Sequence, residues 1–209
     1  MPYQRDVFIS YRREDYAWTP WARDTFKRAL ESWLQRELGR PANVFIDEQV
    51  PVGTDYVNHL AQMLVESKVM VALFSKDYFS SEWCVHELDL MIDRAKGNDL
   101  IIPIVVHDGE VIPDALGRLN YADFIEFANP ALCNAGPLYV EFWTAIAKLA
   151  PRIGSAIDAA PPFDARWLTP FKKRLNDVYK AVLVEKRVAP KNFVLKPSFP
   201  PRKVPRLRP

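Results

Sequence analysis

Five short apolar runs alternate with stretches of helical periodicity along the first 150 residues: Asp6–Ser10, Val44–Asp47, Val69–Phe74, Leu100–Val106 and Asp123–Phe127. Runs of this length, separated by amphipathic helices, predict βαβ units and therefore a parallel sheet with crossover helices. Thr19-Pro20 opens the first helix, because proline suits the first helical position. Trp21, Ala22, Phe26, Ala29, Leu30, Trp33 and Leu38 form its apolar face, and Gly39 and Pro41 end it. Glu48 to Gly53 reads as an irregular loop, followed by a helix from about Thr54 with Val57, Leu60, Ala61 and Leu64 at helical spacing. A third helix is capped by Ser81, with Glu82 in its first turn and Leu88, Met91, Ile92 and Ala95 as its buried stripe. A further helix spans Leu138 to Leu149, with Leu138, Phe142, Ala145, Ile146 and Leu149 on one side. The expected fold is a flavodoxin-like, doubly wound α/β sheet of five parallel strands in the order 2-1-3-4-5, with helices on both faces.

The chain has 209 residues, 49% of them hydrophobic, enough for one domain over 1–150 and a C-terminal extension over 151–209. In the extension, Pro161-Pro162 marks a linker. Thr169-Pro170 then starts a helix over about 170–187, carrying Phe171, Leu175, Val178 and Val182, and a basic, proline-rich tail follows. That tail, 188–209, holds six cations and no acid, so the first 187 residues are net acidic within a formal total of +2. Its six prolines favour a solvated terminus over a nucleic-acid surface. Cys84 and Cys133 are too few for a disulfide framework and lack zinc spacing. With no apolar run near the ~20 residues of a membrane span and no leader pattern, the expectation is a soluble, cytoplasmic chain with reduced thiols and no membrane partner.

In a sheet of this order, ligands bind beyond the carboxyl ends of the strands where the winding reverses, between strands one and three. Two segments meet there, Ser10-Tyr11-Arg12-Arg13 and Ser75 to Glu87. Glu87 borders the apolar stripe of its helix, with Trp83, Cys84 and Met91 one turn away. The residues leave two readings open: a solvated helix-edge carboxylate, or an acid tuned by apolar surroundings for chemistry. There is no GxGxxG, GxxxxGK[ST] or G-x-S-x-G, and His59, His86 and His107 show no metal-ligand spacing, so neither a metal nor a bound cofactor is expected.

At these residues the chain resembles the Toll/interleukin-1 receptor/resistance (TIR) domain family, over about Arg5 to Leu149. Asp6-Val7-Phe8-Ile9-Ser10-Tyr11-Arg12-Arg13 is similar to its first box, Val44 through Gly53 to its second strand and BB loop, and Ser81-Glu82-Trp83-Cys84-Val85-His86-Glu87-Leu88 to its S-x-W-C-x-x-E-L motif. Many animal members only bind one another, whereas prokaryotic, plant and axon-degeneration members often cleave NAD⁺ at the nicotinamide–ribose bond through a glutamate matched here by Glu87. The layout is closest to the prokaryotic NAD-cleaving type. The resemblance implies NAD⁺ as substrate, giving nicotinamide and either ADP-ribose or its cyclic form, with Glu87 catalytic. It also implies Trp83, Tyr11, Arg12 and Arg13 as substrate-binding, and Pro51 and Gly53 of the BB loop in homotypic TIR–TIR assembly. An effector of antiviral defence, activated by oligomerisation or by a defence partner docking on the extension, is the leading expectation. The alternatives are a non-catalytic or host-mimicking TIR adaptor, and a nucleoside deoxyribosyltransferase-like enzyme on the same fold.

Overall fold

The computed structural model describes residues 3–13, 18–47, 55–97, 99–107, 120–129 and 136–188. The strands β1 (Arg5–Ser10), β2 (Val44–Ile46), β3 (Ser67–Phe74), β4 (Ile101–Val105) and β5 (Ala122–Asp123) form one parallel sheet in the order β2-β1-β3-β4-β5. Six α-helices accompany it: α1 (Lys27–Leu38), α2 (Tyr56–Glu66), α3 (Lys76–Phe79), α4 (Glu82–Ala95), α5 (Pro137–Asp158) and α6 (Leu168–Val188). This is the expected flavodoxin-like winding. The period-2 alternation of β1 sends Val7 and Ile9 into a core beneath α1 and α5, and Phe8 into a second core beneath α2, α4 and α6.

Local chemistry explains where elements depart from the sequence expectation. The first helix opens with six π-helical residues, Trp21–Phe26, before the α-helical turns begin. The last strand stops at Asp123, because the Asp123 carboxylate accepts the Ile125 N–H at 2.9 Å and folds 125–127 into a turn. The helix expected to end at Leu149 continues through Pro151 to Asp158, burying Ile153 and Ile157, and a Cβ placed on Gly154 would lie 3.5 Å from the Glu37 Cβ. Leu138, at its start, is exposed. On α4 the stripe is broader than a single face: Cys84, Glu87, Leu90 and Arg94 are buried beside Leu88 and Met91, whereas Ile92 is 40% exposed. Helix α6, outside the five-stranded unit, covers a second side of α4 along Asp89 and Asp93, while Arg94 turns inward onto the Leu64, Val65, Ser67 and Lys68 carbonyls.

Phe171, Leu175 and Val178 of α6 are buried in the α2/α4 core, and Arg174 forks to Asp93 at 2.9 Å and Asp89 at 3.4 Å on α4. Val182, the fourth apolar position expected on this helix, lies outside the described side chains. The chain reaches this face from α5, on the other side of the sheet, by passing the residue that precedes β1. There the Tyr3 hydroxyl donates to the Pro161 carbonyl at 2.9 Å and the Tyr3 ring meets Phe163 edge-on at 5.4 Å.

Gly39 ends α1 at φ +62°, a left-handed conformation that a side chain disfavours, although nothing lies within 4 Å of a Cβ placed there. Gly39→Ala is therefore expected to lose about 1 kcal/mol of stability through the backbone alone, measurable as a lower urea midpoint at unchanged slope.

Candidate functional site

Strand parity and register build the site before any side chain is considered. Ile9 of β1 pairs with Ile46 of β2 and Val71 of β3, so Ser10 and Asp47, one residue on, come side by side at the carboxyl edge of the sheet. Both lie on the α2/α4 side, opposite to Ile9 and Ile46. This is the reversal point of the winding.

The start of α4 is fixed by Ser81, whose side chain accepts the Cys84 N–H at 3.4 Å. Two turns in, Glu87 points down onto β1 and is 5% exposed. It is not a solvated helix-edge acid, since it is buried against the end of β1. The Ser10 hydroxyl donates to Glu87 Oε2 at 2.6 Å, the Ser10 and Tyr78 hydroxyls lie 3.0 Å apart, and Tyr78 donates to the Cys84 carbonyl at 3.2 Å. Burial pushes the Glu87 carboxyl up to about 8; the Ser10 hydrogen bond opposes the shift, the Asp47 charge adds to it, and Arg13 opposes it. Burial drives the Tyr78 hydroxyl upward as well, and the Cys84 thiol up to about 12. Cys84 donates from Sγ to the Tyr11 carbonyl at 3.5 Å and is a packed thiol, not a nucleophile.

The second acid, Asp47, gathers three neighbours. Its carboxylate accepts from the Tyr56 hydroxyl at 2.8 Å and from Arg13 Nη1 at 3.3 Å, and its backbone carbonyl accepts from the Tyr11 hydroxyl at 3.2 Å. Asp47 is itself 9% exposed, and burial raises its carboxyl against the lowering effect of Tyr56 and Arg13. A row of rings borders the pair: Arg13 sits over the Tyr56 ring at 5.4 Å, Tyr56 meets Trp83 edge-on at 5.5 Å, and Trp83 lies 6.4 Å from Tyr179 of α6.

Of the residues singled out from sequence, the structure brings Glu87, Trp83, Tyr11 and Arg13 around one place. Arg12 sits apart from Arg13, in the wall of a narrow cleft of about 20 Å³ between Tyr11, Trp18, Trp21, Ser75 and Val106, on the α1 side of β1. Pro51 and Gly53 lie outside the described residues. Ser10, Asp47, Tyr56 and Tyr78 were not assigned roles from sequence. Ser10 and Asp47 were in view as strand ends, and a polar residue closing a buried parallel strand is the signal that marks them. The two tyrosines carry no such mark, since only the fold brings their hydroxyls to the acids. No cluster of His, Cys, Asp and Glu among the described residues has a metal-holding arrangement, and no described helix is long and apolar enough to cross a membrane.

Comparison with known proteins agrees with this architecture. The family profile of the TIR domain matches residues 7–132. A TIR domain-containing protein of Arabidopsis thaliana is 33% identical over 162 residues, covering 73% of this chain and 60% of that protein. The Arabidopsis disease resistance protein RPP2B is 32% identical over 100 residues, 47% of this chain and 8% of that protein. Among solved structures, the TIR domain of the Toll-related receptor TRR-2 from Hydra magnipapillata covers 68% of this chain and 98% of its own at 19% identity, with a TM-score of 0.45. The chain spans less than two thirds of the length of the curated relatives it matches. With the profile spanning more than half of the sequence, the chain belongs to the TIR domain family.

Proposed function

We propose that this domain hydrolyses NAD⁺ at the bond between nicotinamide and ribose, with Glu87 as the catalytic carboxylate. The observation that carries the reading is a carboxyl held at the reversal point of the sheet, 5% exposed and poised to about 8 by burial. Such a group is neutral in a dry pocket and ionises when a cation arrives. The nicotinamide ring of NAD⁺ is that cation. As the C1′–N bond breaks, its electron pair goes to the ring, which leaves neutral and needs no general acid. The positive charge moves to the ribose as an oxocarbenium ion, and a fixed carboxylate beside it lowers the barrier. Water then adds at C1′ and releases a proton, so that NAD⁺ and water give ADP-ribose, nicotinamide and H⁺. An acceptor within the same molecule gives a cyclic product instead.

Trp83 and Tyr56 supply flat surface beside the acid, and Arg12 is the cation we assign to the diphosphate. Because Glu87 is covered, substrate entry requires the wall of the site to move. We assign that movement to contact with a second TIR domain through the β2–α2 connection, and assign the whole to a defence response, the role printed in the name of the resistance-protein relative. The covered Glu87 also favours one competing reading, a TIR–TIR interaction module in which the acid is structural. Incubation of concentrated protein with NAD⁺ separates the two, with nicotinamide, ADP-ribose and cyclic products resolved by chromatography and nucleosides run in parallel. Nicotinamide release per subunit is expected to rise with concentration in step with self-association seen by light scattering. No release from a sample shown to be assembled rejects the enzyme, and constant release from a monomer rejects control by assembly.

A further inference from the structure

We propose that Asp47 is the second carboxylate of this site: a positioning residue that, with Arg13 as its counter-charge, fixes the electrostatic environment of Glu87. The register of β1 and β2 sets Asp47 beside Ser10, the residue whose hydroxyl lies 2.6 Å from Glu87. Adjacent parallel strands lie about 4.8 Å apart, so the two acids flank one serine on the same face of the sheet. Asp47 is also the point on which three chain segments converge: the β1–α1 connection through Tyr11 and Arg13, the end of β2, and the first residue of α2 through Tyr56. A carboxylate placed only to cap a strand needs none of these partners. Held this way, it keeps a negative charge near Glu87 and keeps Arg13, the cation that offsets it, within reach of both acids.

The groups that face the two acids come from every element around them: Ser10, Tyr11 and Arg13 from β1 and its connection, Tyr56 and His59 from α2, Tyr78 from α3, and Cys84 from α4. Apart from Glu87 and Asp47, the fixed charge among these is that of Arg13. Arg13 therefore supplies the opposite sign in a paired test. Its side chain is 50% exposed, so replacing it leaves the core intact.

The catalytic consequence rests on the NAD⁺ reading above, but the electrostatic one does not, and the test keeps them apart. The titration of Glu87 is read from the gap in unfolding stability between the protein and its Glu87→Gln counterpart, which opens above the ordinary carboxylate value; the folded-state midpoint is the pH, between 5 and 9, at which that gap stops widening. The measurement is made in the native, Asp47→Asn and Arg13→Gln backgrounds. Removing the neighbouring negative charge is expected to move the midpoint down, and removing the positive charge to move it up, each by roughly half to one unit. Opposite signs are decisive, since a loosened pocket would admit water and move both midpoints down. Midpoints that stay put, or that move together, overturn the proposal; should Asp47→Asn fail to fold, an unmoved midpoint in Arg13→Gln does so by itself. In the same proteins the acid limb of the pH profile for NAD⁺ cleavage should follow the midpoint. Midpoints that split as expected in proteins that release no nicotinamide leave Asp47 in its role and remove the hydrolase.

Discussion

Glu87→Gln is expected to lower NAD⁺ cleavage by about a hundredfold to a thousandfold or more while leaving the protein folded, the scale on which one fixed group stabilising transition-state charge usually counts. Glutamine keeps the shape of the side chain and an oxygen to accept from Ser10, 2.6 Å away in the native protein, but it cannot ionise when the cationic ring arrives. Alanine is the poorer probe. Read from sequence, Glu87 is a helix-edge residue whose loss leaves no hole. In the structure it is 5% exposed and tied to Ser10, so truncation opens a void and strands a buried hydroxyl. The measurement is nicotinamide release by a Glu87→Gln protein whose native fold is verified by circular dichroism. Retention of most of the native rate in that protein would remove Glu87 from the chemistry.

The same substitution should stabilise the protein in alkaline solution. Glu87 ionises near 8 in the folded state, against an ordinary value of 4.5. Between those two values the folded chain holds a proton that the unfolded chain has released, so stability falls as pH rises through the window and levels off above it. A shift of that size corresponds to a linkage of the order of 5 kcal/mol, at most a few of which survive relaxation of the pocket. Glutamine does not titrate. The Glu87→Gln protein should therefore match the native one near pH 5 and exceed it by at most about 3 kcal/mol near pH 9, seen as a widening gap in urea midpoints across that range. A gap that is constant with pH would mean that water already reaches the acid.

The alternation of apolar runs with amphipathic stretches was enough to read the strand order, because two-sided burial of parallel strands leaves little choice of winding. The same pattern brought Tyr11, Arg13, Trp83 and Glu87 to one edge. It failed where a residue answers to a neighbour distant in sequence. Ile92 is exposed and Glu87 buried because partners distant in sequence decided which flanks of α4 are covered: α6 along Asp89 and Asp93, and Ser10 of β1 under Glu87. Asp47 and Tyr56 are nine residues apart, yet their hydrogen bond depends on where the end of β2 and the start of α2 meet in the fold, which periodicity does not report. Pro151 and Asp123 show the remaining limit: a helix continued past its expected stop because burial outweighed one lost hydrogen bond, and a strand was cut short by the side chain of its last residue.

The direction of α6 carries a practical consequence for anyone building with this domain. Arg174 meets Asp89 and Asp93, and Tyr179, further along, meets Trp83 near the beginning of α4, so the two helices run in opposite senses. Helix α6 continues to Val188, about 13 Å beyond Tyr179 at the usual rise. Helix α6 thus runs toward the Trp83 side of the site, whereas Tyr3 lies at the far end of the strands. A fluorophore or dimerising module joined after 188 would report on, or crowd, the mouth of the site. One joined ahead of Tyr3 would stand a full strand length away, and the pair of placements forms a ruler for how close a second subunit comes.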